Sequence, residues 1–507
     1  MQEATNVEHK KAQYVSLLGS IAKQFKWVFA GKVFFVLLGF ATSILLARIL
    51  GTSSLGRYQL GLTVVQIVTI FTVAGFDRGL VRFLPILQMN ENQEGRTLVV
   101  LNIKISLLLS IAFATALYFS APLLSFHYFH SDEMTDVLRV FSIYLPILSV
   151  LRIVSGAVVG LKRADLTSNI ENILSPVVFL ILLLLIYFSG GELVSSIFAR
   201  SAPHLLGTVV LISFLLKKLP KSAQAPKRSV SLRRFLSFSI PLMLIGLIYF
   251  LLGQMDIIML GYFVAESEVG IYSVAVKVAM FVIFGLQVVI PVVRPHFSEL
   301  SERKDFETLK NLFKTASRWL FYSGLFVFGP ILILRYEVLN IFGAEFVDGG
   351  SILLILGIGH LANVLSGTTG QMLVMTGKEK WEVANSLLIV VLNFLLNLFL
   401  IPRMGTIGAA IATALSISII NIAKFIEVYL IYKVHPYSPK FLKGILAAFC
   451  GCVACYFVRW AMLEAGLGYV SIIVLASFSF AAVTFATIWI LGFDKEDKML
   501  FEILQRR

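Results

Sequence analysis

The chain has 507 residues, of which 58% are hydrophobic and 14% are charged, and its mean hydropathy is +0.87. In a soluble chain about a quarter of all residues would be charged, so lipid must be the solvent for most of this surface. The formal charge of +14 would suggest nucleic acid in a soluble protein. No basic run is interleaved with aromatic residues outside the apolar segments, so we exclude nucleic acid and expect the basic residues to mark the cytoplasmic side of a membrane.

The pattern of apolar stretches predicts an all-α polytopic membrane protein of about fourteen transmembrane helices. The first stretch begins near Phe25 and is too long for the core of a cleavable signal peptide, so we expect it to be retained. In chain order the predicted spans are 25–48, 58–78, 97–119, 137–160, 169–188, 194–216, 236–261, 271–293, 317–335, 350–375, 384–401, 407–431, 444–461 and 470–492.

The basic residues give the orientation of these spans. With the N-terminus inside, the predicted cytoplasmic segments hold 29 of the 43 Lys and Arg residues, whereas the outer loops hold two, Arg57 and Arg403. This asymmetry places both ends of the chain in the cytoplasm of a cell whose inner membrane the protein crosses. The three cysteines, Cys450, Cys452 and Cys455, share one apolar span without a second Cys or His cluster, which indicates packing or lipid contact.

A weak internal repeat divides the spans into two groups. Gly56 and Gly270 are 214 residues apart, as are Gly191 and Gly405. Six spans separate each pair, which predicts a parallel repeat of two six-helix lobes followed by two C-terminal helices. The predicted segments are a cytoplasmic N-terminus 1–24, a first lobe 25–216, a basic cytoplasmic linker 217–235, a second lobe 236–431, two final helices within 444–492 and a cytoplasmic tail 493–507.

Three stretches of the chain carry a recognisable pattern. They are Ser43–Gly51 with Leu55–Tyr58, Ala74–Phe83, and Asn393–Leu398 with Ile401, Pro402, Gly405 and Gly408–Thr413. These stretches resemble polysaccharide repeat-unit flippases of the Wzx type. The wider superfamily comprises multidrug exporters, lipid II flippases and glycan flippases, and fourteen spans favour the glycan branch over the drug exporters, which usually have twelve. The resemblance implies transport of a polyprenyl-diphosphate-linked oligosaccharide.

Charged residues inside the spans are the candidate functional residues. Each central charge that faces lipid costs about 2.5–3.5 kcal/mol, so these residues should line a wet cavity or pair with acids. Acids inside the predicted spans, such as Asp77, Asp256 and Glu427, are far fewer than the basic residues there, so a cavity between the lobes should be net positive. Such a cavity suits an anion, to which lysine offers a point charge and arginine a bidentate fork. The candidate substrate-binding residues are Lys32, Lys104, Arg152, Arg200 and Lys277.

Other charged residues have structural alternatives. Lys104 is near enough to the inner end of its span to snorkel, and we expect Lys424 to pair with Glu427 three residues later. Asp77, Arg78 and Asp256 are candidates for gating or ion coupling. The alternatives are an Asp77–Arg78 ion pair and an Asp256 that serves as partner of Lys277. Further arginines near span ends are expected to snorkel: Arg48, Arg139, Arg318, Arg335 and Arg459.

Together these features predict a flippase that moves a lipid-linked oligosaccharide across the cytoplasmic membrane by alternating access. It would serve the synthesis of a cell-surface polysaccharide such as O-antigen or exopolysaccharide, with H⁺ or Na⁺ as an optional coupling ion and with no cofactor. The first alternative is a cation-coupled multidrug exporter of the same superfamily. The second is a membrane glycan polymerase or ligase, which short outer loops disfavour. Motifs for ATP or dinucleotide binding are absent from the sequence.

Overall fold

The computed structural model describes residues 2–89, 94–219, 232–492, 494 and 497. Most of the predicted basic linker and of the predicted cytoplasmic tail lies outside these residues. The described part consists of helices and the turns that connect them, and contains no strand. The predicted all-α class is therefore confirmed.

Sixteen α-helices follow one another through the described residues, joined by short turns that include π-helical and 3₁₀ segments. They are α1 (Gln2–Val73), α2 (Phe76–Met89), α3 (Glu94–Leu124), α4 (Met134–Gly160), α5 (Ala164–Asn169), α6 (Ser175–Ser189), α7 (Leu193–Lys218), α8 (Leu232–Phe263), α9 (Glu266–Ala279), α10 (Phe284–Glu302), α11 (Phe306–Asn340), α12 (Gly350–Ser366), α13 (Thr369–Met375), α14 (Glu379–Tyr432), α15 (Lys440–Glu464) and α16 (Tyr469–Leu491).

Twelve helical stretches of the described residues are long and apolar enough to cross a membrane, so the chain is a multi-pass membrane protein. Two of them, of 57 and 54 residues, are far longer than the roughly 20 residues that one crossing needs. The first stretch contains Gly51 (φ 65°, ψ −173°) in α1 and Gly75 in the turn before α2, and the second contains Gly405 (φ 56°, ψ −134°) in α14, all outside helical geometry. The total of fourteen crossings stays a prediction, because twelve such stretches are distinguished among the described residues.

Contacts across α14 show that this helix doubles back at Gly405. Lys424 Nζ lies 2.6 Å from Glu382 Oε1, and Asn385 donates a 2.7 Å hydrogen bond to Glu427. A straight helix would separate residues 42 positions apart by about 63 Å. The expected Lys424–Glu427 pair is wrong, because each side chain has a partner on the opposite arm of the hairpin.

The chain divides into two compact units, residues 37–273 and residues 1–36 with 274–507. These bounds differ from the predicted lobe boundaries at 216 and 236, which stay predictions. In the 37–273 unit, α2, α4, α7 and α8 share a buried core that includes Leu80, Val154, Leu211 and Phe235. A Cβ on Gly156 would meet the backbone of Asp77, and one on Gly160 the backbone of Leu80. Gly156 and Gly160, a G-x-x-x-G pair, thus form the surface of α4 on which α2 packs.

In the other unit, α11, α15 and α16 form a smaller apolar cluster around Phe480 and Cys455. Cys455 is buried, Cys452 is half-buried and Cys450 is exposed, so Cys455 packs in the interior and lipid contact of Cys450 stays a prediction. Arg318 is 2% exposed, and its guanidinium pairs with the carboxylates of Asp494 and Asp497. The expectation that Arg318 snorkels is therefore wrong, because acids that follow α16 neutralise it in the interior.

Candidate functional site

A cavity of about 300 Å³ in the 37–273 unit contains three of the predicted functional residues, Asp77, Arg78 and Arg152. Asp77 and Arg78 begin α2, and Arg152 lies in the middle of α4. The end of α1 and the middle of α8 supply the remaining walls. The other lining residues are Gln66, Thr69, Ile70, Val73, Gly75, Leu148, Leu242, Met243, Gly246 and Phe250.

The turn between α1 and α2 places Asp77 and Arg78 at this cavity. Ala74 (φ 49°) and Gly75 (φ 72°) both adopt left-handed backbone conformations there, so the chain changes direction within two residues. A Cβ on Gly75 would collide with the backbone carbonyl of Ser239. The turn therefore packs directly on α8, and only glycine permits this approach.

The charges at the cavity are two guanidinium groups and one carboxylate. Arg78 Nη1 donates a 3.0 Å hydrogen bond to the carbonyl of Leu242 and is otherwise exposed. No ion pair joins Asp77 to Arg78 within the part of the chain that the structure describes. Arg152 is also exposed. It forms no hydrogen bond or ion pair with another described residue. The cavity thus carries one net positive charge, and both guanidinium groups are accessible to a ligand.

Polar residues that sequence reasoning missed complete the cavity wall. Gln66 and Thr69 lie on α1 and line the cavity. Next to them the hydroxyls of Thr72 and Ser149 share a 2.7 Å hydrogen bond that ties α1 to α4. In the sequence Gln66 and Thr69 are single polar residues in an apolar span, and their spacing of three places them on one helix face. That spacing was the available signal.

Arg200 lies elsewhere in the same unit. Its guanidinium carbon is 5.2 Å from the ring centroid of Phe179, and Tyr58 and Tyr144 interact with its charge. Tyr144 in turn shares a 2.7 Å hydrogen bond with Nδ1 of His204. Arg200 Nε is buried without a hydrogen-bond partner among the described residues. Arg200 therefore belongs to a buried aromatic cluster and does not line the cavity.

The remaining candidates do not line the cavity either. Lys104 is on the exposed face of α3 with Leu107 and Leu108, as its snorkelling alternative requires. Asp256 accepts a 2.6 Å hydrogen bond from the hydroxyl of Tyr272. Lys32 and Lys277 are half-buried in the other unit.

That other unit has its own cavity, of about 420 Å³, with a different character. Its walls are almost entirely apolar and include Phe284, Phe326, Ala448 and Ile488. Charged side chains do not contribute to this lining, so an anionic group would find no cationic partner there.

Comparison with known proteins identifies relatives in archaea. Residues 21–301 match the model of a family described as polysaccharide biosynthesis protein. The chain is 26% identical over 286 residues to the probable low-salt glycan biosynthesis flippase Agl15 of Haloferax volcanii, which covers 55% of this chain and 59% of that protein. It is 27% identical over 276 residues to the probable flippase AglR of the same organism, over 53% and 56% of the two chains. The chain thus spans somewhat more than half the length of these relatives.

Solved structures share the fold. The lipid II flippase MurJ, in an inward closed conformation, superposes with a TM-score of 0.69 at 15% identity over 91% of this chain and 99% of that chain. An inward-facing multidrug transporter of the MATE family gives 0.65 at 17% identity over 79% and 94%. These similarities confirm the predicted superfamily fold. Because the family model covers more than half of the sequence, the chain belongs to the polysaccharide biosynthesis protein family.

Proposed function

We propose that the protein is a flippase that moves polyprenyl-diphosphate-linked oligosaccharides from the inner to the outer leaflet of the cytoplasmic membrane. It acts by alternating access, with no covalent chemistry, and both chain ends lie in the cytoplasm. The membership of the polysaccharide biosynthesis family and the similarity to flippases of glycan biosynthesis support this function. The cavity at Arg78 and Arg152 is the observation that carries it.

The chemistry of this cavity suits a diphosphate. Each guanidinium presents a planar fork of N–H donors that matches the geometry of phosphate oxygens. Both forks are accessible in the cavity, so two of them can bind the oxygens of one diphosphate together. Gln66 and Thr69 add neutral polar groups for the neighbouring sugar hydroxyls.

The size of the cavity favours the headgroup of the substrate over its hydrocarbon chain. A volume of about 300 Å³ is at the lower end of small-molecule binding sites. It accommodates a diphosphate with an adjoining sugar, while the polyprenyl chain remains in lipid. Arg152 and Arg78 bind the diphosphate in this scheme. Asp77 limits the net charge of the cavity, which allows the anion to leave.

The membrane potential supplies a driving force for this direction. With an inside-negative potential, the outward movement of two negative charges is favourable by about 4.6 kcal/mol per 100 mV. This holds provided that the arginines stay in place while the headgroup moves. Coupling to H⁺ or Na⁺ would add to this force, with Asp77 as the acid at the cavity.

The test compares two basic residues of the first six spans in proteoliposomes. A fluorescent lipid-linked oligosaccharide is incorporated, and its exposure on the opposite leaflet is followed with an impermeant quencher. We expect Arg152→Gln to slow exposure at least tenfold, because one phosphate fork is lost. Lys104→Gln, on the exposed face of α3, serves as the matched control and should retain the rate. Equal rates for the two variants would reject the cavity as the binding site.

The cation-coupled multidrug exporter is the second candidate, because Asp77 lines the same cavity. An exporter of this kind needs an acid whose charge changes with ion binding. In the same proteoliposomes it would expel a cationic dye when a Na⁺ or H⁺ gradient is applied. Dye efflux abolished by Asp77→Asn, with no movement of any glycan lipid, would replace the flippase proposal.

A further inference from the structure

Two glycines that the sequence repeat relates are in direct contact. Gly56 lies in α1 and Gly270 lies in α9, both within the 37–273 unit. A Cβ on Gly56 would meet the carbonyl of Glu266, and a Cβ on Gly270 would meet the carbonyl of Thr52. These two Cβ positions would also lie 3.1 Å and 3.2 Å from the amide nitrogen of the opposite glycine. The two helices therefore cross backbone to backbone, with room only for hydrogen atoms between them.

The contact is reciprocal. Thr52 and Glu266 are 214 residues apart, and so are Gly56 and Gly270. Each glycine meets the carbonyl that lies four residues before the other glycine, so exchange of the two repeats leaves the contact unchanged. This reciprocity is the mark of a two-fold axis. Within this unit, the helices that the repeat relates thus meet on a local two-fold axis at this crossing.

An arginine next to the crossing joins three segments of the chain. Arg57 Nε lies 3.0 Å from Glu266 Oε2, and its Nη1 pairs with Glu133, which precedes α4. The side chains of Arg57 and Glu266 are 17% and 16% exposed, so the pair is partly shielded from solvent. Arg57 is one of only two basic residues in the predicted outer loops, where membrane proteins disfavour cations. Its two acidic partners give a physical reason for a cation at this place.

The same helix connects this arginine to the cavity. Gln66 and Thr69 lie nine and twelve residues after Arg57 on the part of α1 that follows Gly51. At 1.5 Å per residue, these positions are about 14 and 18 Å along the helix axis from Arg57. Midway between Arg57 and Thr69, Thr63 donates a 3.4 Å hydrogen bond to Gln254 of α8. A displacement of α1 at the crossing would therefore move one wall of the cavity.

We propose that the Gly56–Gly270 crossing is the closed outer gate of the transporter and that the Arg57–Glu266 pair is its latch. The inference rests on the proposed alternating-access function. Outward opening separates the two glycines and breaks the Arg57–Glu266 pair. The Arg57–Glu133 pair lies within the first repeat and survives, so it holds Arg57 in position for the next closure. The cavity then opens to the outer side along α1.

The latch can be tested without any glycan substrate. Cys450, Cys452 and Cys455 are replaced by alanine, and Gln66→Cys is introduced as a reporter in the cavity wall. The rate of its modification by a membrane-impermeant maleimide is measured from the outer side of right-side-out vesicles. We expect Arg57→Ala and Glu266→Gln each to raise this rate about fivefold or more, the lower range of coupling between two states. The double variant should not exceed the larger single effect, because both changes break one pair.

Matched controls separate the latch from a general loosening of the fold. Arg403→Ala removes the other predicted outer arginine, whose guanidinium bonds to the carbonyl of Phe399 in its own helix, and should leave the rate unchanged. Gly56→Ala and Gly270→Ala should both raise the rate. Gly253→Ala, where a Cβ meets nothing within 4 Å, should not. Equal labelling in Arg57→Ala, Glu266→Gln and Arg403→Ala would overturn the latch.

The design also keeps the latch distinct from the proposed substrate. Glu266→Gln preserves the shape of the side chain, so it remains informative if Arg57→Ala does not fold. Labelling of the reporter needs no lipid-linked sugar. If Arg57→Ala raises the labelling rate but the protein moves no glycan lipid, the latch is retained and the flippase is rejected. If the protein moves glycan lipid but Arg57→Ala does not change the labelling rate, the flippase is retained and the latch is rejected.

Discussion

The ammonium group of Lys424 contacts the carboxylate of Glu382, 42 residues earlier in what is one helix by backbone hydrogen bonding. Their side chains are 16% and 25% exposed. Lys424→Met should lower the unfolding temperature in detergent by a few kelvin, because Glu382 loses its cation in a partly buried place. Lys424→Met combined with Glu382→Met should restore most of the loss. Lys380→Met, at an exposed position of the same helix, is the control. Additive losses in the double variant would contradict the pairing.

The turn that carries Asp77 and Arg78 should be sensitive to any side chain at Gly75. Gly75→Ala introduces a methyl group against the Ser239 carbonyl at a φ of 72°. Left-handed backbone costs about 1–2 kcal/mol for a residue with a Cβ, and the steric contact adds to this. We expect a lower unfolding temperature and a loss of transport. Gly246→Ala also lines the cavity, but its Cβ would lie 3.9 Å from Arg78 Nη2, an ordinary contact. A Gly75→Ala protein as stable as Gly246→Ala would refute the steric argument.

The acids after α16 should stabilise the unit that contains α11. Arg318 is buried, and Trp319 Nε1 also donates a 2.9 Å hydrogen bond to Asp497. Replacement of both Asp494 and Asp497 by asparagine leaves a buried cation with weaker partners, which costs about 3–5 kcal/mol. The unfolding temperature should fall by several kelvin, and an added Arg318→Met should recover part of it. If the triple variant is no more stable than the double variant, the pairs contribute little.

Arg200 and Arg152 should differ in the kind of defect that they cause. Arg200 stacks near Phe179 in the aromatic cluster, whereas Arg152 lines the cavity. Arg200→Gln should therefore lower the unfolding temperature while the concentration of lipid-linked oligosaccharide that gives half-maximal transport stays the same. Arg152→Gln should raise that concentration and leave stability nearly unchanged. Transport titrations and thermal unfolding on the same preparations measure both quantities. If the two variants show the same defects in both measurements, the distinction between Arg200 and Arg152 is wrong.

The sequence predicts a membrane protein and much of its helix order. The hydrocarbon core of the bilayer determines both the hydropathy and the length of each spanning helix, and both can be read from the sequence. The packing face at Gly156 and Gly160 is also visible in the sequence, since small residues four apart leave room for a neighbouring backbone. The placement of Lys424 was missed for a physical reason. A span-by-span reading pairs charges within one helix, whereas the two arms of α14 bring Glu382 to Lys424 from 42 residues away.

The candidate site was only partly accessible from the sequence. The presence of a charge inside a predicted span selected Asp77, Arg78 and Arg152, and these three residues do line one cavity. The same criterion also selected Lys104, which lies on an exposed helix face, and Arg200, which lies in an aromatic cluster. A charge inside a span must be compensated, but the sequence does not say whether an ion, an aromatic ring or a long flexible stem compensates it. Only the angular position around each helix distinguishes these cases.

The crossing at Gly56 and Gly270 has a consequence for the ancestry of the chain. A contact that is unchanged when its partners are exchanged is the contact that two identical chains make in a symmetric dimer. Fusion of two such copies would retain it as an internal joint. Each position would then have to remain glycine as long as the other does, since a methyl group on either glycine prevents the close approach of the two helices. The two halves of the joint are therefore expected to vary together among related proteins, even where the rest of the repeat has diverged beyond recognition.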